Sequence, residues 1–160
     1  MKKIITILSI VMLNLGCQTF GPNDFDSIPG YMAKTLPESD NKPIISGPGI
    51  WEADMRGFLT LKEAYSKTKG SSWTGVGGIA ITDLAIYYGE WQSNEQRYTL
   101  GRRLFLNDLQ DVIFETFGNN VCLAVQKKDL SWHTITFSGK QLVDKIKTKE
   151  AYVFIKSKIK

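Results

Sequence analysis

Gly78-Ile79-Ala80-Ile81-Thr82-Asp83-Leu84-Ala85-Ile86-Tyr87-Tyr88 is the stretch on which the fold turns. Ile79 and Ile81 alternate with small or polar residues, and Leu84, Ile86 and Tyr88 share one face of the run that follows. Thr82-Asp83 separates the two runs. Period-two patterning on either side of a short polar break predicts a β-hairpin with one buried face.

Working outward toward the C-terminus, the pattern repeats. Leu104-Phe105-Leu106 reads as a short strand and Asn107 to Asp111 as a turn. Val112 to Phe117, Val121 to Gln126 and Trp132 to Phe137 read as further strands, separated by Gly118-Asn119-Asn120 and Lys127-Lys128-Asp129. Five or six short strands with local connections predict an antiparallel meander. At Ser138 the period changes. Ser138 with Gln141 three residues on fits a capping box. Leu142, Val143, Ile146, Ala151, Phe154, Ile155 and Ile159 then recur at helical spacing. Seven lysines decorate this end against Asp144 and Glu150. The class expected is therefore α+β: an antiparallel sheet with a C-terminal amphipathic helix over its open end. Residues 89–103, polar and ending in two arginines, read as a long loop, and residues 58–66 as a separate helix.

The hairpin 79–88, the LFLNDLQDV run at 104–112, the hairpin 114–137 and the terminal helix together resemble bacterial pleckstrin-homology-like and GRAM-like domains. That resemblance implies a partly open barrel closed by the helix, over residues 75–160, within a single domain at 51–160.

The other end of the chain reads differently. Met1-Lys2-Lys3 is basic, residues 4–15 are almost wholly apolar, and Gly16-Cys17 follows. A charged start, a short apolar core and a small residue predict a signal peptide over residues 1–16. The apolar run falls short of the ~20 residues a membrane span needs. Cys17 in this position resembles the lipobox of bacterial lipoproteins, although Asn14 stands where that family prefers Leu. The resemblance implies cleavage before Cys17, diacylation of its thiol, and anchoring to the cell envelope, with Gln18 favouring the periplasmic side of an outer membrane. An ordinary signal peptide that happens to contain a Cys is the alternative. Residues 17–50 hold all five prolines and several glycines. This composition predicts a disordered tether between anchor and domain.

Composition narrows the function. Removing residues 1–16 from 160 leaves 144 and takes out Lys2 and Lys3, so the net charge falls from +4 to +2. Bulk charge gives nucleic-acid binding no support. With Cys17 acylated, Cys122 is left alone inside the apolar run 121–125, where a thiol behaves as a small hydrophobe. The one histidine, His133, shares a face with Ile135 and Phe137 and is expected in the core. No His/Cys set has metal-ligand spacing, and neither a metal nor a cofactor is expected. Gly75-Val76-Gly77-Gly78 precedes a strand rather than opening a helix, so it reads as a bend and not a phosphate loop.

Two surfaces are candidates for binding. Trp91 and Tyr98 lie in the presumed loop beside Arg97, Arg102 and Arg103, a composition typical of interface hot spots; packing against the sheet is the alternative. Lys149 and Lys156 stand for the basic helix, which either meets anionic lipid or forms a solvated face. The expected function is a membrane-anchored, non-catalytic binding domain whose partner is an envelope protein or an anionic lipid. An envelope hydrolase using Asp108, Asp111 or His133, and a structural subunit of an envelope assembly, are the alternatives.

Overall fold

The computed structural model describes residues 19–55, 73–117, 120–139 and 143–159. The signal-peptide reading, Cys17 and the helix expected at 58–66 lie outside the described residues. Seven antiparallel strands form one sheet in the order β4-β3-β2-β1-β7-β6-β5. They are β1 (Ile45–Met55), β2 (Trp73–Ile81), β3 (Ala85–Gln92), β4 (Arg97–Phe105), β5 (Leu109–Phe117), β6 (Asn120–Lys127) and β7 (Trp132–Phe137). Helix α1 spans Ile28–Thr35 and helix α2 spans Lys145–Lys158.

The hairpin at 79–88 forms as its alternation predicts. Ile81 pairs with Ile86 and Ile79 with Tyr88, and all four enter one core. Thr82 shapes the turn: its Oγ1 accepts from the backbone N–H groups of Leu84 (3.2 Å) and Ala85 (3.0 Å) and donates to Asp40 (2.7 Å). Leu84 belongs to the turn and is exposed. At the β6–β7 turn Asp129 accepts from the backbone and hydroxyl of Ser131 and from Lys127. Those bonds, Ser131's first, hold its carboxyl well below the usual range.

The meander is really two. β1 to β4 run out to one edge, a three-residue 3-10 turn (Leu106–Asp108) carries the chain to the opposite edge, and β5 to β7 return to β1. Three residues span only about 10 Å, so the sheet must curl until its edges approach. No ladder joins β4 to β5, and the sheet stays open. Inside the curl lie Trp51, Ile79, Tyr88, Leu123, Ile135 and Phe137, closed by Ala151 and Ile155 of α2. Each of these large side chains contributes about 1.5–3 kcal/mol on burial. Helix α2 starts later than the capping box at Ser138 predicts. Asp144 is its N-cap, accepting from the Lys147 N–H at 2.9 Å, while Ser138 forms a bridge with Val143.

The tether expected at 17–50 is overturned from residue 25 onward. Ile28, Met32 and Leu36 are buried at i, i+4, i+8 against Ala80, Tyr87, Trp91 and Tyr98. Pro29 sits in the first turn of α1, where no intrahelical N–H is lost. Pro37 follows the C-cap Leu36. Residues 45–50 then open the central strand, Pro48 included. The Pro48 carbonyl accepts from Ser138 N–H at 2.8 Å. A strand residue's N–H and C=O point the same way, so the donor that Pro48 lacks points toward β7 just where β7 ends. One bond is missing, at the margin of a ladder.

The loop expected at 89–103 is also overturned: it is the β3–β4 hairpin, with Trp91 opposite Tyr98 and Gln96 at φ 51° in its turn. The Gly75–Gly78 run belongs to β2, and its glycines serve close packing. A Cβ on Gly77 would stand 2.1 Å from the Gly89 carbonyl oxygen. Gly77→Ala is therefore expected to destabilise the fold by about 1–3 kcal/mol. Gly30→Ala, with nothing within 4 Å of the new methyl, should stabilise α1 by up to about 1 kcal/mol. Met32→Ala should cost about 2–5 kcal/mol, whereas a side chain on a tether would cost nothing; urea midpoints of the three variants check all of this.

Candidate functional site

The two halves of the sheet treat their outer faces differently. On β2–β3–β4 the outer face carries Gly78, Ala80, Gly89 and the aromatic residues Tyr87, Trp91 and Tyr98, and α1 lies over it. On β1–β7–β6 the outward residues are Ile50 and Glu52, Thr134 and Thr136, and Cys122 and Ala124, set side by side by the register Ile50↔Thr136, Glu52↔Thr134 and Ala124↔Thr134. A groove of about 560 Å³ opens here. Ile50, Val121 and Val143 supply apolar wall, and Asn120 stands at the end of β6. The size suits a small ligand or a few side chains of a partner.

The groove's polar groups are chemically quiet. The Thr134 hydroxyl donates to Glu52 Oε2 at 2.8 Å. The Cys122 thiol is pushed up to about 12, by burial first and then by the nearby carboxylates of Glu115 and Glu52. A thiol held protonated is neither a nucleophile nor a metal ligand. Among the described residues no group of three or more His, Cys, Asp or Glu is placed to hold a metal ion.

Of the residues singled out from sequence, Trp91 and Tyr98 do not form a binding surface. They are 9% and 1% exposed, packed edge-to-face at 5.0 Å, with Tyr31 of α1 against Trp91 at 5.2 Å. The Tyr98 hydroxyl donates to the Phe20 carbonyl at 2.6 Å. They hold α1 to the sheet. Arg97 is exposed and paired with Glu95. Arg102 is half-buried, and the exposed Arg103 stacks on Phe105 at 4.2 Å. The arginines line the edge strand and do not converge on the groove. Lys149 is exposed on α2, and Lys156 pairs with Asp111 at 2.9 Å.

The residues of the hydrolase alternative are kept apart. His133 is inside the curl, accepting on Nδ1 from Trp51 Nε1 at 3.3 Å; Asp111 faces outward to Lys156; Asp108 belongs to the turn between the sheet's edges. Of the groove residues, Cys122 alone stood out in the sequence, as a buried thiol and not as part of a surface. Thr134, Thr136 and Cys122 carry the outward half of the alternation, and only an uncovered face gives that half meaning.

The thiol supplies a pH test. The folded Cys122 value lies above the free value of 9.0, so the folded state holds the proton more tightly. Its contribution to stability is whole below pH 9 and is lost as pH rises toward about 12. Tyr88, raised from 10.0 to about 12 chiefly by burial, works in the same direction. The urea midpoint should fall across this window, and Cys122→Ala should shallow the fall. In the native Cys17→Ser chain at neutral pH, Cys122 should react with a thiol reagent only after unfolding.

Among the described residues, no helix is long and apolar enough to cross a membrane. No protein-family model matches the chain. A search of the curated proteins finds no match either.

Proposed function

We propose that the chain is a membrane-anchored bacterial lipoprotein whose domain binds rather than catalyses, with the β1–β7–β6 groove as its binding site. The groove carries the reading. It is large enough for a ligand, its surface is mostly apolar, Thr134 and Glu52 are engaged with each other, and the Cys122 thiol is held protonated. Such a surface recognises shape and apolar character and offers no group poised to make or break bonds. An apolar segment of an envelope protein or part of an envelope lipid would suit it.

The pleckstrin-homology-like reading of the domain belongs to the same proposal. The open, curled seven-stranded sheet and the helix packed into its curl support it. The anchor reading rests on the charge, apolar run and Cys of residues 1–17, and its periplasmic, outer-membrane side on Gln18. The described domain begins soon after. The Phe20 carbonyl is already bonded to Tyr98 on the sheet, so the domain would stand close to the bilayer.

Two measurements test the proposal. Labelled palmitate should enter the wild-type chain and not Cys17→Ser. A photo-crosslinking amino acid at Ile50 should capture a discrete envelope partner in cells, one at Leu100 should not, and Thr136→Trp, which fills the groove, should abolish the capture. Turnover of an envelope substrate, lost on Thr136→Trp, would replace the binding reading with an enzymatic one.

A further inference from the structure

Helix α2 buries one face and leaves the opposite one bare. Thr148, Ala151 and Ile155 are buried, with Tyr152 and Ile159 partly so. Ile146 and Val153, seven residues apart and hence on one side of the helix, are 75% and 57% exposed. Phe154 borders them, and together they wall an open, mostly apolar depression. Isolated exposed aliphatics need no explanation. Here they lie on a helix with five lysines against one glutamate.

The lysines are disposed in two ways. Lys147 donates to the Ser46 carbonyl at 3.1 Å, Lys156 pairs with Asp111, and Lys158 with Asp83 at 2.8 Å. Lys145 and Lys149 have no ion pair among the described residues. At 100° per residue, Lys149 and Lys156 flank the Ile146–Val153 stripe on one side, and Phe154, Lys147 and Lys158 on the other. Aliphatic residues in the middle with lysines along both borders is the arrangement of a helix lying in a bilayer interface, where the side-chain stems reach up to the headgroups.

We infer that the outer face of α2 docks on an anionic lipid surface, Ile146 and Val153 entering the headgroup boundary and Lys145 and Lys149 meeting lipid phosphates. Charge complementarity selects this occupant: with Lys156 and Lys158 matched by Asp111 and Asp83, the helix keeps a net +2, and each lysine brought to an anionic surface strengthens binding about fivefold. Glu150, on the same outer face, opposes docking and keeps it reversible. The surface is separate from the groove, so the contact goes beyond the proposed binding function and requires no acylation of Cys17.

The test uses the full chain with Cys17→Ser and Val153→Cys, labelled at residue 153 with an environment-sensitive fluorophore; Cys122 is too buried to react. The chain is reconstituted into vesicles of phosphatidylcholine alone or mixed with phosphatidylglycerol. Emission should shift to the blue, and a lipid-borne quencher should reach the label, only on the anionic vesicles, with both effects reversed by salt. Lys145→Gln and Lys149→Gln should each lower the docking equilibrium about fivefold, and Glu150→Gln should raise it. A label at Leu100→Cys should report no change. Three outcomes overturn the inference: an equal shift on neutral vesicles, no shift on either, or a shift that needs no lipid and grows with protein concentration, which would mark pairing between copies.

Discussion

Strand β1 is hydrogen-bonded along both edges, to β2 from Ile45 to Ala53 and to β7 from Gly49 to Met55. Without that double pairing the chain is two separate hairpin sets, neither with enough buried face to persist in water. The constraint reaches further. Because β1 is shared, the two sets meet as one sheet, and because Leu106–Asp108 links its far edges in three residues, the sheet has to curl. Trp51 on β1 sits within that curl, 0% exposed, edge-to-face with both Tyr88 and His133. The core is the interior of the curl, and α2 closes it.

The same strand divides the outer surface. On its β2 side the outward residues are glycine and alanine, which let α1 approach, and the aromatic residues that pack on it. On its β7 side they are threonines, a cysteine and a glutamate, at the groove. A small-residue face accepts a helix; a face of short polar and aliphatic side chains leaves a depression. The groove lies on the half of the sheet that α1 does not cover.

Much of the fold was legible in residues 73–137, and the legible part was local. Alternation across a short turn identifies a hairpin without reference to anything distant, and so the strands at 79–88, 112–117, 121–126 and 132–137 could be read directly. The burial of His133 followed from Ile135 and Phe137 on its face, and that of Cys122 from the apolar run around it. The β3–β4 hairpin escaped because its apolar residues are few and aromatic, and its outward face looks like a solvated loop until α1 is placed over it. Helix α1 and strand β1 escaped because proline and glycine dominate residues 21–49, masking the Ile28–Met32–Leu36 spacing. Pro29 just inside the helix and Pro37 just beyond it were boundary signals, and were read instead as signs of disorder.

The sequence by itself determined the strand-rich middle, the amphipathic helix at the end, the burial of the single histidine and of Cys122, and the basic, apolar, cysteine-terminated start. These depend on residue type and on spacing over a few positions, where period and charge act directly. Only the tertiary structure decided that the proline-rich segment is the centre of the sheet, that Trp91 and Tyr98 face a helix about sixty residues away in sequence, and that the open surface lies over Thr134 and Thr136. Those outcomes are set by which distant segment covers which face. Covering is a competition between buried area and chain entropy over the whole molecule, and no local pattern records its result.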